Sequence, residues 1–295
     1  MLNQRLLLAA VAAAALFALP LLAANSPPAA SPVDSDRVLD QFVAAVEADM
    51  SIAPERRKAA GVIVAALRTD ADGKSVAITE VLRVLHPDFK EALAALGEGN
   101  LGVAITKLTT LRESADPFVA GEATYYLARA YLLDERFEDC LPLLADLQSK
   151  WSAYSTHGGE VLFLRGVAEV ALLRHPEAMD TLSHFLSLYP EAPERMRVGA
   201  FRQLEQLKLF EEGTLSDVSL RMDFSRRKLS LEDTGLETRQ QQDKIIDILA
   251  KLIKAAEERE CNCKGGGSGK GQKPSKGKGG EGESQAQGEG QGQGG

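Results

Sequence analysis

Two cysteines one residue apart, Cys261-Asn262-Cys263, come nearest to chemistry of any residues in this 295-residue sequence. A disulfide across a single residue closes a small, strained loop and is easily reduced. The pair could therefore cycle in redox chemistry, hold a soft metal or cross-link two chains. Zinc requires four ligands, and neither a histidine nor a third cysteine lies nearby. A site built from two chains stays open if the preceding helix dimerises. Thiolate chemistry also needs a supporting electrostatic environment, which the Gly-rich sequence after Cys263 lacks. That favours a simple structural or intermolecular bridge.

Other constellations fail on their own residues. Gly266-Gly-Ser-Gly-Lys270 has the outline of a phosphate loop, but Gly271 stands where Ser or Thr is required and the stretch follows a helix rather than a strand. Asp70-Ala-Asp72-Gly73 has the outline of a calcium loop, yet Arg68 and Thr79 occupy two ligand positions. His86, His157, His175 and His184 lack a partner at i+4 or a cysteine companion suited to a metal. The basic cluster Arg221, Arg226, Arg227 and Lys228 could meet a polyanion, but Glu211, Glu212, Asp217, Asp223, Glu232 and Asp233 surround it. Mixed charge of that kind reads as a salt-bridged, solvated helix face. The expectation is a protein with no catalytic residue, no metal site and no cofactor.

The elements that must position any site are helical. Aromatic residues make up 5% of the chain, Ala and Leu dominate, and Val, Ile and Thr form no alternating strand-like run. A net charge of −8 argues against nucleic acid as a partner. Three cysteines are too few for a disulfide-stapled domain. Residues 1–24 open with Arg5, run apolar from Leu6 and end in Leu22-Ala-Ala24, which reads as a secretory signal peptide. Left uncleaved, residues 6–24 would be just long enough to tether the chain to a membrane. An exported protein of the periplasm or cell envelope follows from either outcome.

Residues 25–34 read as a Pro- and Ser-rich linker. A helix capped by Asp34 or Ser35 comes next, then one with Pro54 in its first turn, a turn at Asp70–Gly73 and a further helix ending at His86-Pro87. Beyond it a two-helix unit recurs. Small residues stand 12 apart at Ala92 and Ala104, Ala128 and Cys140, and Gly166 and Ala178, and the units are offset by 36 and 38 residues. In the middle unit Leu127, Ala128 and Tyr131 mark the first helix, and Phe137, Cys140, Leu144 and Leu147 the second. Pro142 falls within that second helix, so the helix either starts close before it or kinks.

Residues 85–193 thus resemble tetratricopeptide repeats, the family in which such small residues let paired helices approach closely. Arg165, Glu169 and Ser152 depart from the family pattern. The resemblance implies an all-α solenoid of helical hairpins spanning residues 35–212, with a concave groove for a protein or peptide. On this sequence the groove positions are Glu122, Tyr125, Arg129, Leu132 and Leu133, then Glu160, Phe163, Val167, Val170 and Ala171. Tyr125, Arg129 and Phe163 are the residue types that make binding anchors.

Residues 213–260 form a C-terminal helical hairpin broken at Gly235. Its second helix carries a single apolar stripe of Ile245, Ile248/Leu249, Leu252/Ile253 and Ala256. The stripe could occupy the groove of its own chain or pair chains into a homo-oligomer through residues 237–260, as in a coiled coil. Residues 261–295 hold 14 of the 26 glycines and no apolar residue larger than Ala beyond the cysteines, a composition expected to be disordered. The functional expectation is a non-enzymatic protein–protein interaction scaffold or adaptor in the envelope, with thiol or metal handling at Cys261 and Cys263 as the alternative.

Overall fold

The computed structural model describes residues 32–265; residues 1–31, where the signal segment and most of the linker are expected, and the expected tail from residue 266 lie outside the described residues. Among these residues the chain is all-α, an order of twelve helices with no strand. They are α1 (Ser35–Ala48), α2 (Pro54–Leu67), α3 (Ala71–Leu85), α4 (Pro87–Gly97), α5 (Leu101–Leu111) and α6 (Pro117–Leu133). Then come α7 (Phe137–Ser149), α8 (Gly158–Ala171), α9 (His175–Leu188), α10 (Glu194–Lys208), α11 (Leu215–Ser230) and α12 (Leu236–Gly265). From α1 to α10 each helix packs on the next, and α11 packs on α12; the pairs stack into a helical-repeat fold.

Local chemistry sets the helix starts. Asp34, Asp70, Asn100, Asp116 and Thr214 cap α1, α3, α5, α6 and α11 with side-chain oxygens that accept backbone N–H bonds. Pro54, Pro87 and Pro117 begin α2, α4 and α6, where the missing N–H costs nothing. Asp70–Gly73, expected as a turn, is instead the cap and first turn of α3: Asp70 Oδ1 accepts from Gly73 N at 2.8 Å. Pro142 lies just past the first turn of α7, which starts at Phe137.

The repeat extends to the backbone of the turns. In the α4–α5, α6–α7 and α8–α9 hairpins one residue takes positive φ: Gly99 (76°), Glu135 (56°) and Leu173 (58°). Each sits in the same closure. Asn100 N, Arg136 N and Arg174 N donate back to Ala95 O, Tyr131 O and Glu169 O at 2.8–2.9 Å. These 6→1 bonds are the Schellman termination of a helix. Only the first unit uses glycine for it; Glu135 and Leu173 hold a conformation that side chains rarely adopt. The α11–α12 hairpin closes alike, with Glu232 at φ 59° and Asp233 N donating to Lys228 O.

All six small residues of the repeat are buried where paired helices touch. The closest approach is at Gly166, where a Cβ would meet Leu182 Cδ2 at 2.5 Å. Alanine is the better helix former by about 1 kcal/mol, but the overlap costs more. Gly166→Ala is therefore expected to lower stability by about 1 kcal/mol net, whereas in a Leu182→Ala background the same change should stabilise. Urea denaturation of the four proteins checks the reversal of sign.

One apolar core runs from α1 to the start of α8, and a second joins α8, α9 and α10. In the first, α3 lies against α6, and Phe42 of α1 meets Phe118 of α6 edge-on at 5.0 Å. Helices α1 and α3 thus cover the face of α6 that the repeat pattern left open.

Candidate functional site

Glu122, Tyr125, Tyr126 and Arg129 are spaced along α6 at i, i+3, i+4 and i+7, so they share one helix face. That face meets Thr79 of α3. It also meets the α7–α8 connection, residues 150–157, which dips inward and leaves Ser155, Thr156 and His157 buried. Thr156 Oγ1 donates to Ser75 O at 3.0 Å and ties the connection to α3. Glu160, in the first turn of α8, completes the group.

His157 is the centre. Its side chain is 1% exposed, and each ring nitrogen meets a carboxylate: Nδ1 lies 2.9 Å from Glu160 Oε2 and Nε2 3.1 Å from both oxygens of Glu122. Its ring stacks on Tyr125, centroids 3.6 Å apart and 7° from parallel. Burial opposes the imidazolium charge, but Glu122 and then Glu160 outweigh it and hold the pKa at about 9. His157 is thus an imidazolium that donates from both nitrogens. Burial would raise the Glu160 pKa, yet hydrogen bonds from His157 and Tyr125 bring it down to about 2. Burial, and next the charge of Glu160, push the Tyr125 phenol well above its usual range. Tyr125 therefore stays protonated and donates to Glu160 Oε2 at 2.6 Å.

A second chain of bonds reaches Glu122. Thr79 Oγ1 donates to Glu122 Oε2 at 2.6 Å, and Tyr126 OH donates to Thr79 at 3.2 Å. The Arg129 guanidinium lies 5.6 and 5.4 Å from the Tyr125 and Tyr126 ring centroids. Two carboxylates thus face one imidazolium and one guanidinium, and the charges balance. Such a cluster fixes geometry; its acid and base groups already hold one another.

This arrangement corrects the expected groove. Glu122 and Tyr125 do not line an open surface: they are 0% and 2% exposed, because α3 and the His157 connection cover them. Arg129, Leu132 and Val167 are half-buried and Leu133 is exposed. Phe163 is also half-buried, with its ring 5.6 Å from Phe185 and against Gly199 of α10. The C-terminal hairpin is not what fills the groove, since α12 packs along α11. Outside Glu160 a cleft of about 440 Å³ opens between α3, α8 and α10, with Asp36, Asp72, Lys74, Tyr189 and Met196 on its walls. Arg68 and Lys74 pair with Asp36 there at 2.8 and 2.7 Å.

The basic cluster is salt-bridged, in part to its acidic neighbours, as Arg221 is to Asp217, and in part to carboxylates of the repeats; Arg227 and Lys228 are buried rather than solvated. Arg226 pairs with Glu135 and Arg227 with Glu138, while Lys228 reaches both Glu138 and Asp233. Cys140 is fully buried, and burial pushes its thiol up to about 12, so it behaves as a small apolar residue. Cys261 is free and exposed. The helix does not stop at Glu260 as expected but runs to Gly265, so positions 261 and 263 lie about 200° apart around its axis. Among the described residues no group of three or more His, Cys, Asp or Glu is arranged to hold a metal, and no helix is long and apolar enough to cross a membrane.

His157 is the residue that sequence reasoning missed. Two signals pointed to it: the repeat lengthens from 36 to 38 residues at this connection, and Glu160 follows His157 at i+3 on a helix start.

Fold and site together define an all-α helical-repeat protein with a buried His157–Glu122 pair at its polar centre. No protein-family model, curated protein or solved structure matches the chain.

Proposed function

We propose that the protein is a non-enzymatic protein–protein interaction scaffold or adaptor of the cell envelope, built on tetratricopeptide-like repeats. The observation that supports this most is the identical closure of three successive hairpins at Gly99, Glu135 and Leu173. The first helices of successive units also touch, α4 on α6 and α6 on α8, which repeats a row of side chains along one face. The polar residues with most chemical potential brace that stack from within: His157 and Glu122 are spent on each other, out of a substrate's reach. The envelope assignment rests on residues 1–24, and the thiol or metal alternative on the Cys261–Cys263 pattern.

With Tyr125 in the core, partner capture falls to the accessible part of the row, Arg129, Leu132, Leu133 and Val167. Replacing Leu133 and Val167 together with glutamate is expected to leave helicity intact by circular dichroism. The same change should abolish capture of the native partner from an envelope extract. Undiminished capture by the double variant would overturn the reading.

A further inference from the structure

The apolar stripe of α12 is two seams rather than one. Thr238, Gln241, Ile245, Ile248, Leu252 and Ala255 recur at alternating steps of three and four residues on the buried or half-buried side of the helix, with Gln242 and Leu249 half-buried at its edge. The hairpin is antiparallel, because Arg221 bonds Gln241 while Lys228 lies near Glu237. One residue further on, about 100° around the axis, a second seam follows the same rhythm: Arg239, Gln242, Ile246, Leu249, Ile253, Ala256 and Glu260. Ile246 and Ile253 in this seam are 64% and 58% exposed. On α11, Leu215, Met222 and Leu229 are exposed at the same spacing of seven. Arg227, which reaches Glu138, marks the side of α11 that faces the repeats. Going around α11 in the order repeats, α12, open side, these three come last. The antiparallel sense of α12 turns Ile246 and Ile253 to that same open side.

The second seam is self-complementary in one direction only. Arg239, Ile246, Ile253 and Glu260 are each seven residues apart. Two copies of α12 laid antiparallel about the midpoint between Leu249 and Ala250 put Ile246 against Ile253 and Arg239 against Glu260, twice over by symmetry. A parallel pair would set Arg239 on Arg239 and Glu260 on Glu260. Length favours the same contact: α12 has 30 residues against 16 in α11, so its C-terminal half projects past α11 with Ile253 on it.

We propose that the occupant of this seam is a second copy of the chain, and that the protein is an antiparallel dimer in which two α11–α12 hairpins form a four-helix bundle. This goes beyond the scaffold reading and stands without it: a dimer would present two repeat faces, whichever partner they bind.

Sedimentation velocity of the full-length chain, carrying Cys261→Ser and Cys263→Ser to exclude disulfides, tests the dimer over roughly 1 to 100 µM. A concentration-dependent dimer is expected, and Ile246→Glu with Ile253→Glu should weaken it at least tenfold while helicity is kept. Arg239→Glu alone should weaken it, and adding Glu260→Arg in the same chain should restore it, which a parallel pair would not allow. A monomer at the highest concentration, or a dimer indifferent to the isoleucine changes, overturns the proposal. Failure of the charge swap to restore dimerisation overturns the antiparallel register.

Discussion

His157→Ala is expected to lower the unfolding free energy by about 3–5 kcal/mol, the cost of removing one member of a buried ionic group and leaving its partners uncompensated. Glu122 and Glu160 would then face each other across the vacated space, with only Thr79 and Tyr125 to satisfy them. The α7–α8 connection would lose its polar tie to α6 and keep the Tyr154–Phe118 ring contact and the Thr156 bond to Ser75. Loss on this scale is a large fraction of the 5–15 kcal/mol that stabilises a typical domain. Urea denaturation followed by circular dichroism gives the magnitude. A change under about 1 kcal/mol, the range of an exposed ion pair, would mean that the cluster is not sealed. His157→Gln should fall between, since one amide donor can still reach one carboxylate.

The same cluster sets a dependence on pH with two different edges. The folded pKa of His157, about 9, lies above its ordinary 6.5. Its contribution is therefore complete below pH 6.5 and fades as pH rises through 9, by about 3 kcal/mol. Glu160 is displaced the other way, from 4.5 to about 2. Its contribution is complete above pH 4.5 and is lost as pH falls toward 2. Stability should thus plateau between about pH 4.5 and 6.5 and decline on both sides. In His157→Ala the alkaline decline should shrink. An unchanged alkaline edge in that variant would assign it to other groups.

How far the sequence reveals this architecture depends on the range of each interaction. The small residues from Ala92 to Ala178 mark the hairpins because a helix crossing is a local, periodic requirement, and all six are buried at those crossings. Caps such as Asp116 and prolines such as Pro117 act within one turn, so helix starts are legible too. The burial of Glu122 and Tyr125 is not. It depends on α3 crossing α6, on a Thr79–Glu122 bond spanning 43 residues and on a Thr156–Ser75 bond spanning 81. Periodicity along α6 reports that a face exists, not what covers it. The two seams of α12 merge into one stripe for the same reason: Ile245 and Ile246 are equally apolar, and only α11 distinguishes them. Glu135 and Leu173 hide the repeat of the turns, since neither residue type signals positive φ as Gly99 does.

Glu138→Ala is expected to release the C-terminal hairpin while the repeats stay folded. Glu138 is where the hairpin is fastened. Arg227 grips it through both guanidinium ends at 2.8 and 2.9 Å, Lys228 adds a bond at 3.0 Å, and Arg227 also donates to the carbonyl of Glu135. Arg227 lies between the rings of Phe137 and Phe224, about 5 Å from each, so the ion pair and the apolar contact form one joint. Burial disfavours the charge of Glu138, but the hydrogen bonds, Arg227 foremost, hold its pKa at about 2. Without the carboxylate, Arg227 and Lys228 remain as cations whose side chains are 3% and 8% exposed. Lys228 keeps Asp233, and Glu138 is 37% exposed, which moderates the penalty. A cost of about 2–3 kcal/mol is expected, below that of a fully sealed pair. It falls on docking, because α11 and α12 share no apolar cluster with α6–α9. Hydrogen exchange should show faster exchange across residues 215–260 with α6 and α7 unchanged, and proteolysis should cut near Gly213. Acid should mimic the substitution, since the contribution of Glu138 is complete above pH 4.5 and is lost as pH falls toward 2. Uniformly faster exchange throughout the chain would instead make the hairpin part of one cooperative unit with the repeats.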